Sequence, residues 1–187
     1  VFYKDYSVTS KEFILLINNM FLTITTFAIL LGTLYPLITS SLDIGKISVG
    51  APYFNFIFSA LMLPIVFLMA PAIYSNWSKT NYNILTKKLG KIFFLSLIIA
   101  YAFMNYYYKS DIFVVYLAIF LALFTILSSV AKIYMIFINT SDRNYLKNFL
   151  LIPSSMLANL FAHIGIGVLI IGVTVTTYYS SQKEIIM

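Results

Sequence analysis

The chain has 187 residues, 61% of them hydrophobic and 10% charged, with a formal net charge of +6. Soluble domains carry about 25% charged residues, so a water-soluble fold is excluded. There is no cysteine, which removes disulfides, thiolate metal sites, thioether attachment to this chain and thiol redox chemistry.

Five intervals contain no Asp, Glu, Lys or Arg: Glu12 to Asp43, Lys46 to Lys79, Lys91 to Lys109, Asp111 to Lys132 and Lys147 to Lys183. Each holds about 20 apolar residues, enough to cross about 30 Å of hydrocarbon as a helix. The intervals are continuously apolar and lack the short alternating segments of transmembrane strands, so helices are predicted rather than a barrel. The predicted fold is all-α and polytopic, a single transmembrane domain over 1–187.

In chain order, the first span is predicted at 13–38. The segment Ser40 to Asn55, SSLDIGKISVGAPYFN, follows as an ordered external turn, because Gly45, Gly50 and Pro52 break helix. The second span, 53–76, contains Pro64 and Pro71, which are expected to kink it and free backbone carbonyls. The third, 92–108, runs into Tyr106, Tyr107 and Tyr108, read as an interfacial aromatic belt. The fourth and fifth are placed at 112–136 and 155–179. No internal repeat and no separate soluble domain is visible. The chain begins at Val1 without a signal-like segment, so it is expected to be a fragment or one piece of a split subunit.

Nine cations fall on one predicted side of the membrane: Lys4, Lys11, Lys79, Lys87, Lys88, Lys91, Lys132, Arg143 and Lys147, against Lys46, Lys109 and Lys183 on the other. The excess puts the N-terminus in the cytoplasm or matrix and the C-terminus in the periplasm or intermembrane space. Cations beside spans contact lipid headgroups and fix topology, so nucleic acid is not expected as a partner.

His163 is the sole histidine and lies in the fifth span. At 100° per residue Ser155, Asn159, His163, Gly167, Thr174 and Tyr178 share a stripe of about 140°, opposite a face of Leu, Ile, Val and Phe. A polar stripe inside a membrane faces protein, water or a ligand. Two readings of His163 stand side by side. In one it hydrogen-bonds a neighbouring helix, and Gly165, Gly167 and Gly172 allow close helix approach. In the other it is an axial haem ligand, with Gly167 removing a side chain that would collide with the macrocycle.

Acid, base and nucleophile sets are missing, since the acidic residues sit at span ends or in loops, away from His163. No phosphate-binding loop or metal-ligand cluster occurs, so no autonomous catalysis is expected and no catalytic residue is assigned. Lys132 is read as snorkelling from its span, against a role in holding a haem propionate.

The stretch from Asn18 and Asn19 through Gly32, Thr33 and Pro36, then Ile47, Ser48, Gly50, Pro52, Phe54 and Asn55, resembles a region of the CcmF family. The last span, with Ala162, His163, Gly165 and Gly172, resembles that family's final membrane helix. The resemblance is strongest at the two ends and weak between 77 and 150. It implies a subunit of the cytochrome c maturation haem lyase. There His163 would be one axial ligand of a membrane-embedded b-type haem shared with a partner chain, with Gly167 and Asn159 shaping the pocket.

The family's tryptophan-rich W-W-D loop, its two external histidines and its second membrane histidine have no counterpart in this sequence; Trp77 is solitary and predicted on the wrong side. The resemblance therefore implies the C-terminal part of a split CcmF, without the family's external soluble segment. The expected partners are the CcmF subunit carrying the W-W-D region, a haem chaperone, apocytochrome c and the lipid bilayer. The AT-biased composition favours a mitochondrial inner membrane over a bacterial plasma membrane. The alternative is a structural transmembrane subunit of a respiratory or other inner-membrane complex without its own cofactor. A transporter would need paired broken helices and buried charges, which the sequence lacks.

Overall fold

The computed structural model describes residues 10–45, 47–77, 82–107, 113–139 and 152–179. They form five helices: α1 Lys11–Ser41, α2 Ala51–Tyr74, α3 Tyr82–Tyr107, α4 Phe113–Asn139 and α5 Ser154–Tyr179. All five are long and apolar enough to cross a membrane, and no strand occurs among the described residues. The chain is a multi-pass, all-α membrane protein. Lys4, Lys46, Lys79, Lys109, Arg143, Lys147, Lys183 and Tyr108 lie outside the described residues, and with them all three cations expected on the opposite side.

Helix boundaries differ from the predicted spans for local reasons. The first helix starts at Lys11 because buried Ser10, with extended backbone (φ −77°, ψ 149°), accepts a hydrogen bond from the Phe13 amide at 3.2 Å, supplying one of the first turn's partnerless donors. The third starts at Tyr82, ten residues before its predicted span. Lys87, Lys88 and Lys91 had marked a membrane boundary, yet lysine is a good helix former and its stem lies along apolar surface. The apolar part of α3 runs from Leu85 to Tyr106.

Contacts divide the described chain into two units, residues 10–68 with 75–77, and residues 69–74 with everything from 82 onward. The first is a hairpin of α1 and most of α2. Its turn begins with a C-terminal cap in which Asp43 takes a left-handed φ of 54°. The Asp43 amide donates to Ser40 O at 3.4 Å and the Ile44 amide to Thr39 O at 3.2 Å, the paired bonds that close a helix end. Pro52 then sits in the first turn of α2, where a missing N–H leaves no helical bond unmade.

Buried positions of α1 recur every seven residues at Thr25, Gly32 and Thr39, the spacing of a left-handed helix seam. Gly32 lies beneath the Tyr53 ring, where a Cβ would come within 2.5 Å of Tyr53 Cε1. The Tyr53 hydroxyl donates to Ala28 O at 3.0 Å. Hydroxyls on α1 turn back on their own helix: Thr23, Thr25 and Thr26 donate to carbonyls four residues earlier at 2.8–2.9 Å. Hydrocarbon offers no water to satisfy them, so this internal bonding keeps a threonine-rich span compatible with lipid.

The second unit is organised on α4, whose membrane window is 44% buried, against 11% for α5 and 22% for α3. Phe93 of α3 meets Phe120 and Phe124 of α4 edge-on, with centroids 5.0 and 5.7 Å away, a favoured aromatic geometry. Ala70 and Tyr74, in the last turns of α2, join Leu85, Ile92 and Phe124 in one core cluster, and Ala100, Met104, Val115 and Ile119 form another. Pairing early α3 with late α4, and late α3 with early α4, makes the two antiparallel.

Candidate functional site

α5 begins after Pro153, whose carbonyl accepts from the Met156 and Leu157 amides at 2.9 and 3.2 Å. Its buried positions Leu160, Gly167 and Thr174 repeat the seven-residue seam seen on α1. A Cβ at Gly167 would lie 2.5 Å from Ile126 Cγ1 and 3.0 Å from the Ala122 carbonyl of α4. Gly167 is therefore a contact point between two backbones. Gly165 and Gly172 have nothing within 4 Å of an added Cβ, so of the three glycines expected to permit close approach, Gly167 alone meets a described neighbour.

The predicted polar stripe is divided by this packing. Gly167 and Thr174 face α4, Ser155 and Asn159 are exposed, and the Tyr178 side chain lies outside the described residues. His163 is half-buried at the margin. At 100° per residue it lies about 60° round the helix from Leu160, and Asn159 about 100°. The imidazole thus stands at the edge of the α4 contact, with the open face beside it.

His163 Nδ1 is 2.7 Å from the backbone carbonyl of Asn159. A carbonyl only accepts, so Nδ1 carries the proton and donates, which leaves the lone pair on Nε2. No hydrogen bond joins Nε2 to a described residue. The neighbouring-helix bond expected from the packing reading is absent among the described residues. A neutral imidazole anchored through Nδ1 with Nε2 open is the state in which histidine binds a metal. The described residues offer a metal this one nitrogen and no cluster: His163 is the only histidine in the chain, and the described residues hold no group of three His, Cys, Asp or Glu.

Comparison with known proteins fits the same region to a family. The chain is 32% identical over 180 residues to the cytochrome c-type biogenesis protein CcmF of Pseudomonas fluorescens, covering 96% of this chain and 27% of that protein. It is 28% identical to CcmF of Escherichia coli (95% of this chain, 26% of that protein) and 27% identical to the cytochrome c-type biogenesis protein NrfE of Haemophilus influenzae (95% and 26%). The chain is a CcmF-like part. It spans about a quarter of the length of these curated relatives, as a C-terminal portion would. No family model matches the chain, and no solved structure matches it.

Sequence reasoning missed the packing role of three features of this CcmF-like chain. Gly32 was noted for its motif, not for the tyrosine above it. The seven-residue spacing of Thr25, Gly32 and Thr39 was the available signal. Thr125, Ser128 and Ser129 are wholly buried in α4, and Tyr74 donates to Ser128 O at 2.9 Å. Within an apolar run such hydroxyls carry no periodic signal. Lys132, read as snorkelling, holds its Nζ 5.3 Å from the Tyr74 ring centre, a cation–π contact.

Proposed function

We propose that this chain serves in cytochrome c maturation as a membrane subunit of a haem lyase, contributing His163 as one axial ligand of a b-type haem. The observation that carries the ligand assignment is the 2.7 Å hydrogen bond from Nδ1 to Asn159 O, which fixes the tautomer and leaves Nε2 without a described partner. The coarser role rests on similarity along nearly the whole chain to proteins named for cytochrome c-type biogenesis.

In this reading His163 Nε2 would hold the iron. Asn159 contributes its backbone carbonyl to hold the imidazole plane and its side chain to the open face beside it. Gly167 acts from one turn away: by letting α5 seat on Ile126, it sets the helix rotation that aims His163. When bound, the group would supply one-electron redox chemistry in a low-dielectric setting, with its potential tuned by the hydrogen-bonded imidazole. In this reading any further iron ligand, and the surface that would receive haem and apocytochrome c, would come from outside this sequence, from the CcmF part carrying the W-W-D region and a haem chaperone. A mitochondrial inner membrane is the proposed location.

The test is the yield of c-type cytochromes, measured by haem staining, in cells whose own copy is replaced. The wild-type chain restores them. His163→Ala at equal chain level lowers the yield at least ~10-fold, as expected for loss of a metal ligand or its support. Full yield with His163→Ala would reduce the chain to a structural membrane subunit.

A further inference from the structure

Lys87, Lys88 and Lys91 stand on one side of the first turns of α3 and line a cavity of about 420 Å³ together with Ile92 of α3 and Ala131 and Met135 of α4. All three lysines are exposed. No salt bridge joins them to a described residue, and the described acidic residues, Glu12 and Asp43, both belong to the α1–α2 hairpin. The first turn of α3 contains no acidic side chain. Three positive charges within five residues, with no described acidic residue in their unit, repel one another and favour an incoming anion.

The other wall of the cavity is apolar. Ala131 and Met135 occur one turn apart near the end of α4, and both pack against the core cluster containing Ile92. A free anion gains nothing from that wall. A molecule with an anionic head and a hydrocarbon tail matches both halves at once. The cavity also lies where an apolar span gives way to charged residues, the depth of lipid headgroups.

We propose that the α3–α4 groove is a binding site for an anionic glycerophospholipid, with its phosphate held by Lys87, Lys88 and Lys91 and an acyl chain along Ile92, Ala131 and Met135. Each lysine near a headgroup adds to the attraction for an anionic lipid; Ala131, with its short side chain, leaves the groove open. The site is separate from His163 and independent of the haem reading.

The test uses the full chain, purified with its native partners into nanodiscs or micelles, and compares phosphatidylglycerol with phosphatidylcholine by native mass spectrometry. Wild type should retain phosphatidylglycerol in preference. The triple variant Lys87→Gln, Lys88→Gln, Lys91→Gln should lower that preference at least ~10-fold. Removing the same charge elsewhere, with Lys46→Gln, Lys109→Gln and Lys183→Gln, should leave it unchanged. Ala131→Trp, which keeps every lysine and fills the groove, should also lower it.

Three results would overturn the site. Equal loss of the preference in the control triple makes it a property of net charge. Its survival in Ala131→Trp leaves the groove without a role. Complete displacement of the lipid by inorganic phosphate at millimolar concentration marks a free-anion site. Circular dichroism matching wild type accompanies each variant, so that loss of lipid is read only from folded protein.

Discussion

The two units place glycine at the same position of a seven-residue seam, yet they use it differently. On α1, Gly32 admits the end of a tyrosine side chain: a Cβ there would meet the Tyr53 ring first. On α5, Gly167 admits a β-branched side chain and a backbone carbonyl of α4. A tyrosine ring swings about two torsions, whereas isoleucine is stiff and a helix backbone does not yield. The hairpin therefore has an adjustable contact and the second unit a fixed one. Burial does not separate the two seam helices, since the windows of α1 and α5 are each 11% buried; the difference lies in the atoms each glycine meets. The rigid contact lies one turn from His163.

The largest expected break comes from Gly167→Leu, which drives a branched side chain into Ile126 and the Ala122 carbonyl. Overpacking of this kind costs about 1–3 kcal/mol or more. It should appear as a clear fall in the thermal midpoint in detergent and a loss of α4–α5 cross-linking. Gly167→Ala should cost less, and Ile126→Ala in the same chain should recover part of the loss, a coupling that a double-mutant cycle measures directly.

Next in size is Tyr74→Phe. It removes a buried hydrogen bond and leaves the Ser128 carbonyl without that donor, for a cost of about 1 kcal/mol. Gly32→Ala should cost about the same or less, because the Tyr53 ring moves aside and forfeits only its 3.0 Å bond to Ala28 O; interhelical bonds in membranes average about 0.6 kcal/mol. An equal or greater loss for Gly32→Ala than for Gly167→Ala, measured by denaturant titration in the same detergent, would erase the distinction between the two seams. The smallest effect belongs to Ser128→Ala. Ser128 Oγ is buried and has no hydrogen-bond partner among the described residues, so its removal should leave stability unchanged or slightly raised.

How much of this was legible beforehand depends on the kind of signal. The five helices were readable because charge-free intervals of about 20 residues have one structural solution in a bilayer. The start of α3 was not, because lysines that mark a membrane boundary also extend a helix beyond it. His163 could be singled out as the sole histidine of the chain, lying within a span, and the resemblance named its chemistry. The tautomer could not be read from sequence, since it depends on the Nδ1 distance to Asn159 O. The α5 stripe was visible as a pattern but not as two halves. Only the docking of Gly167 on Ile126 separates the seam residues Gly167 and Thr174 from the open-face residues Ser155 and Asn159. That the three lysines share a groove with Ala131 and Met135 required the α3–α4 pairing itself.

The most direct test of the central claim is the reduced-minus-oxidised optical spectrum of the affinity-purified native complex, comparing wild type with His163→Gly at matched protein level, with and without added imidazole. The predicted result is a b-type α-band in wild type, its loss or shift in the variant, and its partial return when imidazole enters the space left by the side chain. A spectrum unchanged by the substitution, or a complex without haem, would contradict the assignment of His163 as an iron ligand.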